Sequence, residues 1–120
     1  SMIGGAVAAI VTDGNGGYPA MGKDASVGAA FVAEFVLTFA LTHTVVHVAT
    51  SAAQANNSYY GLAIGFTVLS GAISVGPVSG GAFNPAVGLL PILRAEWGAL
   101  WLHIVAPLCG GLCSGLVFRA

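Results

Sequence analysis

Between Asp24 and Arg94 the chain carries one formally charged side chain, Glu34. A soluble domain has about a quarter of its residues charged. Here charged residues make up 6% of 120 and hydrophobic residues 57%. Lys23, Arg94, Arg119, Asp13, Asp24, Glu34 and Glu96 are too few to clothe a water-facing surface. With a mean hydropathy of +0.91, the sequence predicts an integral, multi-pass membrane protein whose solvent is the lipid bilayer. A net charge of −1 leaves no basic face to displace counterions from phosphates, so nucleic acid is excluded as a partner.

Glycine and proline punctuate the apolar sequence. Residues 1–11 are apolar, yet crossing ~30 Å of hydrocarbon needs about 20 residues. They read as the tail of a helix that begins elsewhere, in a truncated chain, and they lack the basic flank of a signal peptide. Residues 12–26, with Asp13, Gly14, Gly16, Gly17 and Pro19, are loop chemistry, and poor order is expected there. Residues 27–50 are long enough to span with some tilt. A polar connection with Gln54, Asn56 and Asn57 follows. A second spanning helix is expected over 59–75, stopped by Gly76 and Pro77, and a third over 98–118.

Residues 76–93 are different. A glycine–serine break precedes a short apolar stretch from Pro85 to Leu93, which at 1.5 Å per residue is about 13 Å long. It cannot cross. An interfacial helix wants a basic polar face, and Val87, Gly88, Leu89 and Leu90 supply none. Irregular backbone at membrane depth survives only inside protein or against a water-filled cavity. The segment is therefore expected to be a re-entrant loop and half-helix that line something.

Pro85 suits the first helical turn, where its missing N–H is not needed. Asn84 is then the N-cap, with its amide at a helix end carrying about half a positive charge. A permeating oxygen arriving there meets a donor and a positive potential together, and cations are disfavoured at the same spot. Asn84-Pro85-Ala86 alone is a weak signal; its place after a glycine-rich break between apolar segments gives it weight.

Three stretches carry a family resemblance. Gly61-Leu-Ala-Ile-Gly65-Phe-Thr-Val-Leu69 through Gly80-Gly81-Ala82-Phe83-Asn84-Pro85-Ala86 resembles the fifth helix and re-entrant loop of aquaporins. Ala33-Glu34-Phe35-Val36-Leu37-Thr38-Phe39 resembles the start of their fourth helix, and His103-Ile-Val-Ala-Pro107-Leu-Cys-Gly110-Gly111 resembles their sixth. The resemblance implies an all-α, aquaporin-like bundle, here a half repeat with three spanning helices and one re-entrant half-helix. It implies a passive channel element for water or small neutral solutes such as glycerol, urea or ammonia, and a homo-oligomer, usually a tetramer. Asn84, Pro85 and Ala86 would face the pore. The glutamate matching Glu34 would accept hydrogen bonds from loop N–H groups, a structural brace rather than a proton carrier. Where water-selective members carry arginine this chain has Val87, and where they commonly carry histidine it has Ala72; the neighbouring filter position is Gly81. Losing two bulky donors predicts a wider, more apolar constriction.

Other readings are weighed against these. A secondary transporter also uses broken helices, but Glu34 is its sole candidate coupling residue. A half chain that conducts nothing is a third reading. With so few Lys and Arg the positive-inside bias is weak, so a second half could be another copy inserted in the opposite sense. His43 and His47 are spaced i, i+4 like metal ligands, yet no third ligand sits at a suggestive distance, and no metal site is expected. His103 has no assigned role. Cys109 and Cys113 lie on one helical face along its axis, poor geometry for a disulfide, and read as small buried hydrophobes. Gly61/Gly65 and Gly111/Gly115 predict close helix crossings. Tyr59, Tyr60, Trp97 and Trp101 stand near segment ends, as interfacial anchors do. No nucleophile–base or paired-carboxylate arrangement is present, so neither an enzyme nor a cofactor is expected.

Overall fold

The computed structural model describes residues 2–15, 17–95 and 97–119, so that Ser1, Gly16, Glu96 and Ala120 lie outside it. Helix α1 covers Met2–Val11 and α2 covers Val27–Val45, continuing through a π-helical turn, Val46–Thr50. Helix α3 is Tyr60–Ser79, α4 is the single turn Pro85–Gly88 followed by a 3₁₀ segment Leu90–Arg94, and α5 is Leu100–Arg119. No strand occurs among the described residues. The stretches Val27–Thr50, Tyr60–Ser79 and Leu100–Arg119 are each long and apolar enough to cross a membrane.

Ser26 starts α2: its hydroxyl accepts the Ala29 N–H at 3.1 Å, satisfying one of the donors that every helix start leaves free. The buried face of α2 is Ala30, Ala33, Glu34 and Thr38, spaced so that one stripe faces inward. Against it lies α5, running parallel, with Phe31 stacked near Trp101 at one end and His47 against Phe118 at the other. Helix α3 runs antiparallel to α2, with Ser79 beside Glu34 and Thr67 beside Thr44. The interior is polar for a small bundle: Glu34, Thr38, Ser79, His103 and Ser114 are all buried. Leu62, Phe66, Leu69 and Ile73 of α3 face outward. Where lipid is the solvent, this inversion carries no hydrophobic penalty.

Three expectations change here. The second spanning helix runs through Gly76 and Pro77 to Ser79 rather than stopping at residue 75. Proline inside a membrane helix removes only the N–H that would bond the carbonyl four residues back, here that of Ile73, and at the helix end Gly22 N–H reaches the Val78 carbonyl at 3.0 Å. The loop before α2 is thereby docked on the end of α3, with Ala20 so close to Gly80 that a Cβ there would sit 2.3 Å from its nitrogen.

The close crossings also fall elsewhere. A Cβ on Gly61 or Gly65 would meet nothing within 4 Å, whereas one on Gly110 would lie 2.3 Å from the Phe35 carbonyl oxygen. The small-residue stripe that packs is thus Ala106, Gly110 and Ser114, about 100° around the helix from Gly111 and Gly115. Cys109 and Cys113 are free thiols, half-buried.

Candidate functional site

The re-entrant segment begins where α3 ends. Gly80 (φ +90°) and Gly81 (φ +65°) take left-handed backbone that side chains rarely adopt, and glycine adopts it without steric cost. The chain then doubles back along α3. A Cβ on Gly81 would touch the Cα of Ala72 at 3.8 Å, and the Phe83 ring lies under Gly71. From Ser79 back to the level of Gly71 is about 12 Å of helix rise.

Phe83 is also left-handed (φ +47°), an uncommon conformation for a bulky residue. What holds it is Glu34. Phe83 N–H donates to Glu34 Oε2 at 2.7 Å and Ala82 N–H to Oε1 at 2.9 Å. The Ser79 hydroxyl donates to Oε1 at 2.8 Å. Glu34 is 0% exposed, and these three bonds put its carboxyl oxygens to use within the fold. A second tie comes from α5. His103 Nε2 lies 2.5 Å from the Ser79 carbonyl oxygen, which accepts from it, as a helix-end carbonyl needs a partner. Ser79 therefore joins all three spanning helices. Sequence reading left His103 and Ser79 without a role; the available signal was a titratable ring inside an apolar span, which is a functional or structural commitment by default.

Asn84 is extended (φ −158°, ψ 124°) and its side-chain oxygen accepts the Ala86 N–H, with Pro85 opening the turn. Val87 and Gly88 N–H groups close on the Asn84 carbonyl at 3.0 and 2.9 Å. With Oδ1 committed to the cap, the Nδ2 protons remain as donors away from the helix. Asn84 and Pro85 line an open groove of about 490 Å³ together with Thr38, Thr42, Pro107 and Gly111. Thr38 and Thr42 lie at the middle of Val27–Thr50, and Pro107 and Gly111 near the middle of Leu100–Arg119. Asn84 thus sits at half the depth of the bundle.

Asn84, Ala86 and Ala72 are exposed in this chain, while Pro85, Gly81 and Val87 are half-buried. Ala72 and Gly81 are neighbours. Val87 opens on a separate groove of about 460 Å³ shared with Gly5, Ala9 and Leu90, between α1 and the half-helix. The half-helix itself is shorter than a 13 Å α-helix: one α-turn to Gly88 and then 3₁₀ structure. Its aligned dipole is correspondingly smaller than that of a long helix, so the Asn84 amide is the stronger polar feature at this tip. Replacing Asn84 with alanine removes the cap, and we expect it to cost about 1 kcal/mol, read as a lower thermal midpoint in detergent.

These features define a multi-pass integral membrane protein with a re-entrant loop that brings a capped half-helix to mid-depth. Over residues 1–118 the sequence matches the Major intrinsic protein family, and the chain belongs to that family. The all-α, aquaporin-like bundle expected from the sequence is the fold observed. Probable aquaporin NIP4-2 of Arabidopsis thaliana is 35% identical over 95 residues, which are 78% of this chain and 33% of that protein. Aquaporin NIP3-1 of the same plant is 41% identical over 106 residues, 86% of this chain and 31% of that protein. Nodulin-26 of Glycine max is 38% identical over 91 residues, 75% of this chain and 33% of that protein. The chain spans about a third of the length of these relatives.

Proposed function

We propose that this chain forms one half of a passive membrane channel for water and small neutral solutes, with Asn84 donating to the permeating oxygen. The observation that carries the reading is the depth of Asn84 beside Thr38, Thr42 and Pro107. Among the described residues the Asn84 NH₂ group meets no acceptor, and a donor at that depth suits the oxygen of a passing solute. The names of the aquaporin relatives support the same reading. A transporter would need a carboxyl group free to couple to an ion, and Glu34 already holds three donors. The outward apolar face of α3 and the open groove at Asn84 suit a chain whose pore is closed by a second half or a further subunit, within a homo-oligomer.

Ala72, Gly81 and Val87 stand where the family resemblance puts the constriction, Val87 on the groove that opens between α1 and the half-helix; none of them is a bulky donor, and this supports passage of solutes larger than water. Stopped-flow light scattering on proteoliposomes tests both parts. Wild-type protein should pass glycerol or urea as well as water. Val87→Arg should lower glycerol flux by about tenfold while retaining water flux, since an arginine narrows and polarises the aperture. Water flux without glycerol, urea or ammonia flux in the wild type would reject the wide filter. Absence of any flux would reject the channel.

A further inference from the structure

His43 and His47 take no part in the re-entrant loop, and together they have the geometry of a partly built metal site. His43 lies in the last turn of α2 and His47 in the π-helical turn that follows. Such turns occur frequently at functional positions. The two Nε2 atoms are 3.1 Å apart. With metal–nitrogen bonds of 2.0–2.1 Å, that separation subtends about 100° at a shared ion, an angle suited to adjacent ligands. Without an ion, one ring donates to the other along the same line.

Neighbouring side chains hold both rings. Phe39 stacks on His43 with centroids 5.3 Å apart and planes 13° from parallel. Phe118 of α5 meets His47 edge-on, with centroids 5.0 Å apart. Ser114 Oγ lies 3.4 Å from His43 Nδ1. A proton on Nδ1 then donates to that hydroxyl and leaves the Nε2 lone pair for an ion, the outer-shell arrangement that orients metal-binding imidazoles.

An ion would reach the pair from the end of the span. His47 is exposed and lies within one helical turn of Thr50, where the span ends. Among the described residues, no third His, Cys, Asp or Glu joins the two rings. An ion there would keep positions open to water. An all-imidazole donor set favours copper, nickel and zinc over the oxygen-seeking magnesium and calcium.

We propose that His43 and His47 form a two-imidazole site for a divalent transition-metal ion, copper ahead of zinc, at the end of α2. A bound ion ties the α-helical part of α2 to its π-helical turn. The test uses the full chain in lipid nanodiscs with Cys109 and Cys113 replaced by serine, because thiols ligate the same metals. Titration with Cu²⁺, followed by electron paramagnetic resonance, should give one ion per chain coupled to two nitrogens. His47→Gln changes an exposed side chain, and circular dichroism checks that its helix content is kept. It should weaken binding by at least about tenfold and leave one coupled nitrogen. Ser114→Ala should weaken binding less and keep both nitrogens, and millimolar Mg²⁺ should not compete. A parent spectrum with fewer than two coupled nitrogens overturns the site whatever the variants do. So does a His47→Gln protein that binds as the parent does.

Discussion

With Glu34 replaced by leucine, the protein should lose most of its folded stability, and with it any flux. Three donors converge on this carboxyl group: the Ser79 hydroxyl and the N–H groups of Ala82 and Phe83. Ser79 has an alternative acceptor, the Val75 carbonyl at 3.4 Å. The two backbone donors have none, and both residues are buried. Each stranded N–H costs about 1–3 kcal/mol, so the pair costs about 2–6 kcal/mol against a typical stability of 5–15 kcal/mol. Leucine also removes a buried polar group, which by itself favours folding. That gain is smaller than the loss, because removing one partner of a buried, satisfied set leaves the others uncompensated. Phe83 adds to the effect, since its left-handed backbone has to be held by something. Glu34→Gln separates the contributions. Its amide oxygen keeps one N–H, while its NH₂ group faces the other, and an intermediate loss of about 1–3 kcal/mol follows. Thermal unfolding in detergent, read by the fluorescence of Trp97 and Trp101, should rank wild type above glutamine above leucine. A leucine variant as stable as wild type would show that the carboxyl group does not brace the loop.

The parts of this architecture legible in the sequence are those set by composition and local chemistry. The spanning segments follow from apolar runs long enough for the hydrocarbon, and Ser26 and Asn84 announce helix starts in residue types that cap. The break at Gly80-Gly81 is local too, because both positions take left-handed backbone that glycine adopts without steric cost. What stayed hidden depends on distant partners. Pro77 reads as a stop, yet α3 continues past it to Ser79, where Gly22 and His103 supply donors to the last carbonyls, those of Val78 and Ser79. Nothing near Pro77 in the sequence reveals either donor. The glycine pairs fail for a related reason. Spacing marks a stripe on a helix but not the direction in which it faces, and Gly110 meets Phe35 while Gly111, one residue on, only brushes Thr42. For the candidate site, residue types gave Asn84 and Glu34, whereas the neighbourhood of Ala72 with Gly81, and the distance of Val87 into another groove, needed coordinates.

Gly88→Val should displace the half-helix and abolish flux while leaving the spanning helices formed. A Cβ at Gly88 would lie 2.3 Å from the His103 carbonyl oxygen and 2.8 Å from its carbon. Both atoms belong to the backbone of α5, so no side chain can swing aside. The approach is possible because Pro107, four residues on, has no N–H to cover that carbonyl. The half-helix uses the gap, and valine closes it. Either α4 lifts away from α5 or α5 bends; overpacking of this kind costs about 1–3 kcal/mol. Because Asn84 caps the same turn that Gly88 ends, a shift of Gly88 by an ångström or more moves the amide with it. The expected result is unchanged helix content by circular dichroism, a lowered thermal midpoint and flux at the level of empty liposomes. Gly61→Ala is the matched control: its Cβ meets nothing within 4 Å in this chain, and alanine is the better helix former. Wild-type flux from Gly88→Val would mean that the tip carrying Asn84 does not rest on the backbone of α5, and the depth assigned to that amide would have no support.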